Sequence, residues 1–292
     1  MKGVALKPWS QQAPVDLSEQ QFTQWSDLLE ERTGMQIVKR QRPYLQAQIL
    51  MRMRELQCGD YDHYYRSIAE GISGLKEWSV LVERLVVNET SFFRHRASID
   101  FVRCYLQQNI DNNQGMKSFD VWSLGCSTGE EPYSLAMVIN DCFELAVLEP
   151  YYGITATDIS AKALTIARSA CYGSRKLEQM SAQEIQRYMQ PVDVLNPQGE
   201  FRVQDKLRDR VCFSQSNILN LKDMPVVKMD VIYCQNVLIY FRRWLRRDIL
   251  NFLVERLKPG GILIVGLGEI IDWKNSLVKK VKNSEVQAYR RL

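Results

Sequence analysis

From Phe119 onward the chain alternates between short runs suited to buried strands and longer stretches with helical spacing. "FDVWSL" is followed by a helix over 132–144, "YYGITATD" by a helix over 160–170, and "MDVIYC" and "GILIVG" come later. Strands that alternate with helices predict a mostly parallel sheet, which is stable only with both faces covered. One stretch breaks the rhythm: "EFRVQDKLRDRVCFSQ" (200–215) has the pattern of two short antiparallel strands around a charged turn, so a small β insertion, about 191–216, is expected inside the larger domain.

The N-terminal quarter is different in kind. Residues 16–87 predict only helices. Ser18 with Gln21 forms a capping-box pattern, Phe22, Trp25, Leu28 and Leu29 make one apolar stripe, and Gly34 is placed as a stop. After Pro43 the spacing repeats through Leu45, Ile49, Met53 and Leu56; a third helix is expected over about 61–70, and a fourth through Trp78, Leu81, Val82 and Leu85. A helical domain at 16–87, a connecting segment and helix at 88–118, and an α/β domain at 119–292 follow from this change of period. With 292 residues, 46% of them hydrophobic, the chain can bury two cores.

Several function classes fall away on composition. The opening "MKGVALKPWSQQ" has no secretory core and no run nears the roughly 18 apolar residues that span a bilayer, so a cytoplasmic protein with no membrane insertion is expected. The seven cysteines are scattered and never in C-x-x-C; with His63 and His95 the only histidines, neither a disulfide framework nor a metal site is expected. A net charge of +4 gives no case for nucleic acid. Between Glu31 and Glu55, however, Arg32, Lys39, Arg40, Arg42, Arg52 and Arg54 occur without an acid, a local basic segment.

The stretch "SLGCSTGEEPYSLAMVI" (123–139) carries the chemistry. It lies after the first strand, where open α/β sheets bind ligands. Gly125 and Gly129 let the backbone turn tightly and approach a ligand. A phosphate needs bare N–H groups and positive potential at the next helix, which Glu130 and Glu131 oppose, and neither G-x-G-x-x-G nor a Walker lysine is present. A cationic ligand fits better, and S-adenosylmethionine carries both a sulfonium and an ammonium. The same acids and Pro132 are also what any helix start favours, so both readings stand on these residues alone. Asp158, closing the second strand, suits two ribose hydroxyls or a helix cap equally.

Taken together, "NETSFFRHRASIDF" (88–101), "GCSTGEEPYSLAM" (125–137), "TATDIS" (155–160) and "CQNVLIYF" (234–241), in order and in register, resemble the CheR family of chemotaxis receptor glutamate methyltransferases from about residue 17 to the C-terminus. The resemblance implies a class I, Rossmann-like methyltransferase domain behind an all-α domain, with S-adenosylmethionine as cofactor and S-adenosylhomocysteine as product. By position it implies cofactor contacts from Asn88, Thr90, Arg94, Gly125, Glu130, Asp158, Asn217, Ile218, Gln235 and Asn236, with Arg94 and Tyr240 also at the methyl-transfer site. The family usually has Arg-Asn at Gln235-Asn236 and Gly-His-Ser-Glu at Gly266–Glu269, and this chain departs at both.

Phe92 and Phe93 are expected to pack, and His95 to flank the site without acting as a base. The implied partner is the helical cytoplasmic domain of chemoreceptors, whose acidic surface would meet Lys39, Arg40, Arg42 and Arg54. The glycine-rich turn of members that dock a receptor's C-terminal peptide is missing from the β insertion. Two other readings remain on the sequence: methylation of nitrogen, for which Asn236-Val237-Leu238-Ile239 lacks the usual Asn/Asp-Pro-Pro-Tyr loop, and a non-catalytic scaffold or sensor that keeps the cofactor pocket.

Overall fold

The computed structural model describes residues 16–112, 118–149, 151–193, 196 and 199–292; the opening "MKGVALKPWSQQ" lies outside them. The chain divides into two compact units, 1–87 and 88–292.

In the first unit α1 (Glu19–Thr33) begins at a complete capping box, in which Ser18 Oγ accepts the Gln21 amide at 3.1 Å while Gln21 Oε1 accepts the Ser18 amide at 3.0 Å. Gly34 ends it in the left-handed conformation. Three more helices follow, α2 (Arg42–Glu55), α3 (Tyr61–Ala69) and α4 (Gly71–Leu85). Their expected stripes are buried: Phe22, Trp25, Leu28 and Leu29, then Leu45, Ile49 and Met53, then Trp78, Leu81, Val82 and Leu85. Leu56 is the exception at 44% exposure, because α2 ends one residue earlier and Leu56 is its C-cap.

The second unit opens with α5 (Arg96–Asn112), then β1 (Phe119–Leu124), α6 (Glu130–Leu145), β2 (Tyr152–Asp158), α7 (Ala161–Ser169), β3 (Cys171–Gly173), α8 (Ala182–Tyr188), β4 (Met189–Pro191) and β5 (Glu200–Val203). It continues through the single turn α9 (Asp205–Arg208), β6 (Val211–Gln215), β7 (Met229–Cys234), α10 (Arg243–Glu255), β8 (Leu257–Val265), β9 (Val278–Lys280) and β10 (Gln287–Arg291). The seven-stranded sheet has the order β6-β2-β1-β7-β8-β10-β9, parallel except for β10, which runs antiparallel to both β8 and β9. Strand order therefore reverses between β1 and β7, and the crevice beyond their carboxyl ends is where such sheets take ligands. The mostly parallel α/β class is as expected.

Two local expectations need correction. The strands within 200–215 do not pair with each other. β5 lies at the centre of a three-stranded antiparallel sheet between β3 and β4, whereas β6 joins the main sheet alongside β2, with Ile154 opposite Val211. Val211 and Phe213 alternate into the core, which fixes β6 at that edge, and the α9 turn carries the chain from one sheet to the other. The antiparallel insertion thus draws on 171–203, not 191–216. "LKPGG" (257–261) is a bulged beginning of β8: Met229 pairs with Leu257 while Val231 pairs with Ile262. The β9–β10 pair follows β8.

Candidate active site

The glycine loop leaves β1 by folding onto the end of β2. The amides of Gly125 and Cys126 both donate to Thr157 O, at 2.8 and 3.0 Å, and Gly125 (φ +76°) and Gly129 (φ +95°) take the left-handed backbone that glycine tolerates. Ser127 shares the left-handed region at φ +48°, and its buried hydroxyl makes no hydrogen bond. Asp158, buried at the end of β2, clamps this loop: Oδ2 accepts the Ser127 amide at 2.8 Å and Oδ1 the Ser160 amide at 2.9 Å. Ser160 caps α7 itself, accepting the Ala163 amide at 2.9 Å. The helix cap that Asp158 alone could have supplied thus comes from Ser160.

Four carboxylates ring the crevice. Glu130 is fully buried; Thr128 Oγ1 donates to its Oε2 at 2.6 Å, and Lys176 Nζ stands 2.9 Å from Oε1. Glu131 accepts the Ser123 hydroxyl at 2.7 Å. It keeps a small solvent-exposed fraction, yet its carboxyl group sits among protein atoms, and burial pushes its pKa up to about 8, against the Ser123 hydrogen bond and the Arg94 charge. Glu269 bends back so that Oε2 accepts the Gly266 amide at 2.9 Å; burial raises its pKa, with the Gly266 amide and Arg246 opposing. A β-carbon on Gly266 would fall 2.7 Å from Glu269 Cδ, which is the physical reason for the glycine in "GLGE". With Asp158 these groups make a rim of four carboxyl groups, in which Glu130 is paired with Lys176 and Glu131 holds its proton at neutral pH.

The segment 88–95 is tied to α6. Phe93 N donates to Ser134 Oγ at 3.0 Å, and that hydroxyl donates to Glu130 O at 2.7 Å. Phe92 and Phe93 are buried packing residues as expected, Phe92 edge-on to Tyr172 with ring centroids 5.0 Å apart. Arg94 is exposed, donates to Glu89 O at 2.7 Å, and its charge acts on both Glu131 and Tyr240. The Tyr240 pKa is raised by burial, so its phenol stays a donor at neutral pH. His95, exposed at its surface, lies with Nε2 3.0 Å from Asn236 Nδ2, and partial burial of its ring and the Arg94 charge lower its pKa.

The remaining candidates divide. Asn217 caps the turn after β6 by accepting the Leu219 amide at 3.1 Å, with Ile218 beside it, and Ser216 N donates to Asp158 O at 2.9 Å, so both stand next to Asp158. Asn88 and Thr90 are half-buried, with Thr90 O held by Lys176 Nζ at 2.7 Å. Gln235 does not face the crevice with free groups: buried, it donates to Ser98 Oγ at 2.8 Å and accepts from Tyr233 Oη at 3.1 Å. Lys176, Glu269 and Ser127 were not singled out as contributors by the sequence. Ser127 lies in the quoted glycine loop and Glu269 in a family turn, whereas Lys176 carried no signal.

Glycines that remove side-chain bulk, an orphaned buried hydroxyl and an acidic rim together fit an adenosyl cofactor with a cationic sulfur. No group of three or more His, Cys, Asp or Glu placed to hold a metal ion occurs among the described residues. No helix among them is long and apolar enough to cross a membrane.

Comparison with known proteins agrees with this geometry. Residues 88–287 match the family model of the CheR methyltransferase SAM binding domain, and residues 20–86 that of the CheR methyltransferase all-alpha domain. The chain is 31% identical over 254 residues to the chemotaxis protein methyltransferase of Escherichia coli, covering 87% of this chain and 85% of that one. It is 32% identical over 254 residues to that of Salmonella typhimurium, covering 87% and 84%. To chemotaxis protein methyltransferase 1 of Pseudomonas aeruginosa it is 34% identical over 203 residues, covering 68% and 71%. With both family domains in place and matched over nearly all its described length, the chain belongs to the CheR methyltransferase family.

Proposed function

We propose that the protein transfers a methyl group from S-adenosylmethionine to glutamate side-chain carboxylates of chemoreceptors in the cytoplasm, giving glutamate methyl esters. The observation that carries this reading is the acidic rim of Glu130, Glu131, Asp158 and Glu269 around a glycine-built crevice at the switch in strand order, a site for a cation beside an arginine and a tyrosine. Asp158, Asn217 and Ile218 would hold the adenosine half, and Asn88, Thr90, Gly125, Glu130 and Asn236 the remainder, while Gln235 acts through packing.

When bound, the cofactor supplies an electrophilic methyl whose carbon–sulfur electrons stay on sulfur as the new carbon–oxygen bond forms, so an anion and a cation become a neutral ester and a neutral thioether. A glutamate with its ordinary pKa near ~4.3 is already ionised at neutral pH, and no general base is needed. His95, bonded to Asn236, is consistent with that economy. Arg94 orients the incoming carboxylate by a charge-assisted bond. Tyr240 adds a neutral donor. Alignment alone is worth roughly 7–11 kcal/mol in favourable cases, enough to dominate.

The first unit would recognise the receptor. Arg42 and Arg54 flank an open groove of about 610 Å³ whose wall includes Ala47, Leu50 and Met51, with Asp16 also on it and held by Gln46 Nε2 at 3.0 Å. Lys39 and Arg42 both pair with Glu19, at 3.2 and 2.8 Å, and Arg40 and Arg54 are exposed. An apolar groove with basic rims suits an acidic amphipathic helix.

The test is transfer of radiolabelled methyl to receptor-containing membranes followed by mild base. Volatile methanol supports the ester, base-stable label indicates nitrogen, and cofactor binding without label indicates a non-catalytic module. Arg94→Ala should abolish transfer while sparing most cofactor affinity. Reversing Lys39 and Arg40 to glutamate should weaken receptor binding most at low salt.

A further inference from the structure

A ligand amino group cannot simply settle on Glu130, because that carboxylate has no exposed surface and already faces a cation. Lys176 Nζ lies 2.9 Å from Glu130 Oε1 and donates to Thr90 O at 2.7 Å, while the Lys176 backbone carbonyl accepts the Phe92 amide at 3.4 Å. The lysine therefore links the 88–95 segment to the first turn of α6 from the short turn after β3. Two features set this pair apart from an ordinary structural salt bridge. Glu130 Oε1 is buried yet makes no hydrogen bond of good geometry, and 37% of the Lys176 side chain remains exposed.

A ligand carrying only an ammonium would have to displace Lys176 from Glu130, giving up a charge-assisted contact that solvent, reaching 37% of the lysine side chain, replaces only in part. A ligand carrying only a carboxylate would add nothing for Glu130. An α-amino acid end bears both charges on one carbon and can enter between the two side chains, leaving neither unpaired. Glu130 is already implied by the resemblance as a cofactor contact; we infer that Lys176 completes that contact, taking the carboxylate of the zwitterionic amino-acid end while Glu130 takes its ammonium.

This inference rests on the cofactor reading above and adds a specificity-determining residue to it. In the absence of ligand the two side chains satisfy each other. Binding exchanges one charge-assisted contact for two. The site thereby favours an intact amino-acid end over adenosyl thioethers that lack one of its charges.

The test is calorimetric titration of the full chain with S-adenosylhomocysteine and with its decarboxylated counterpart. The wild type should favour the intact ligand by about tenfold or more, the scale of one charge-assisted bond. Lys176→Met should bring the two affinities within about twofold, and Lys176→Arg should keep most of the preference. Lys176→Gln, which preserves a donor to Thr90 O without the charge, serves if the methionine variant fails to fold, and should also lose the preference. An undiminished preference in the neutral variants overturns the inference, as does a parallel loss of affinity for both ligands. A wild type that binds neither ligand overturns the cofactor reading itself.

Discussion

Val237 Cγ2 stands 2.3 Å from the place a β-carbon on Gly125 would occupy, so the loop after β1 and the loop after β7 touch at the floor of the crevice. Gly125→Ala meets this wall and also forces an alanine to φ +76°. Strain of roughly 1–2 kcal/mol from the backbone and about 1–3 kcal/mol from overpacking should lower the unfolding free energy measured in denaturant. Val237→Ala in the same chain should recover the packing part alone. Full recovery would show that the left-handed backbone costs nothing here.

Gln235 occupies a position where the family usually has arginine, and its neighbours explain the choice. Ser98 Oγ, Tyr233 Oη and, at 3.4 Å, Val265 O use both ends of its amide in a buried setting. An arginine there would add a charge for which this network has only neutral partners. Gln235→Leu should leave the Ser98 and Tyr233 hydroxyls with only each other as side-chain partners and cost about 1–3 kcal/mol of stability. S-adenosylhomocysteine affinity should change less than about twofold. A tenfold loss of affinity at unchanged stability would restore the direct cofactor contact expected from the resemblance.

Glu131 makes stability depend on pH. Held at about 8 in the fold against 4.5 in the unfolded chain, its carboxyl retains a proton that the unfolded chain has released. Folding stability therefore falls as pH rises through that window, by up to about 1.4 kcal/mol per unit where the difference is complete. Glu131→Gln should flatten the decline in denaturant titrations between pH 5 and 8 by roughly that slope. A cationic ligand beside the rim favours the carboxylate, so cofactor binding at neutral pH should release protons. The heat of binding should then vary with the ionisation enthalpy of the buffer; equal heats in all buffers would contradict the raised value.

What the sequence revealed follows the range of the interactions. The Ser18 capping box, the Gly34 stop, the apolar stripes of the first unit and the glycine loop after β1 are set within a few residues, and each was legible. Asp158 was placed at the end of its strand, but its two oxygens could not be assigned until Ser127 and Ser160 were seen around it. β6 was misjudged because β5 and β6 share one alternating pattern, and pattern says nothing about whether a strand pairs with its neighbour in sequence or with β2. Any role for Lys176, and the packing role of Gln235, named from the sequence only as a cofactor contact, lay beyond reach for a related reason. Their partners, Glu130 and Thr90 for one and Ser98 for the other, are distant in sequence, and no spacing rule connects a lysine in a short turn to a glutamate at another helix start.

The first unit has its own charge centre, and it predicts acid lability. Glu77 accepts from Arg52 Nε and Nη2, both at 2.7 Å, and from Tyr64 Oη at 2.7 Å, while Arg52 Nη1 reaches Glu55 at 2.8 Å and Arg84 joins Glu55 at 2.6 Å. Burial pushes the Glu77 carboxyl up, but the Arg52 and Tyr64 hydrogen bonds outweigh it and hold the group below its ordinary range. Because the folded value is depressed, the stabilisation is fully present above the unfolded value near 4.5 and is lost as pH falls through the folded one. Glu77→Gln removes that dependence and leaves the Arg52 charge, 18% exposed, with Glu55 alone. Losing one of the two carboxylates that hold Arg52 costs about 1.5–3 kcal/mol, so the variant should unfold at lower denaturant than the parent at pH 7, with the difference shrinking on acidification. Near-ultraviolet circular dichroism of Trp25 and Trp78, both buried in this unit, reports it apart from the larger domain if the other tryptophans are replaced by phenylalanine. A variant as stable as its parent at pH 7 would mean that Arg52 finds another anion and that the network is dispensable.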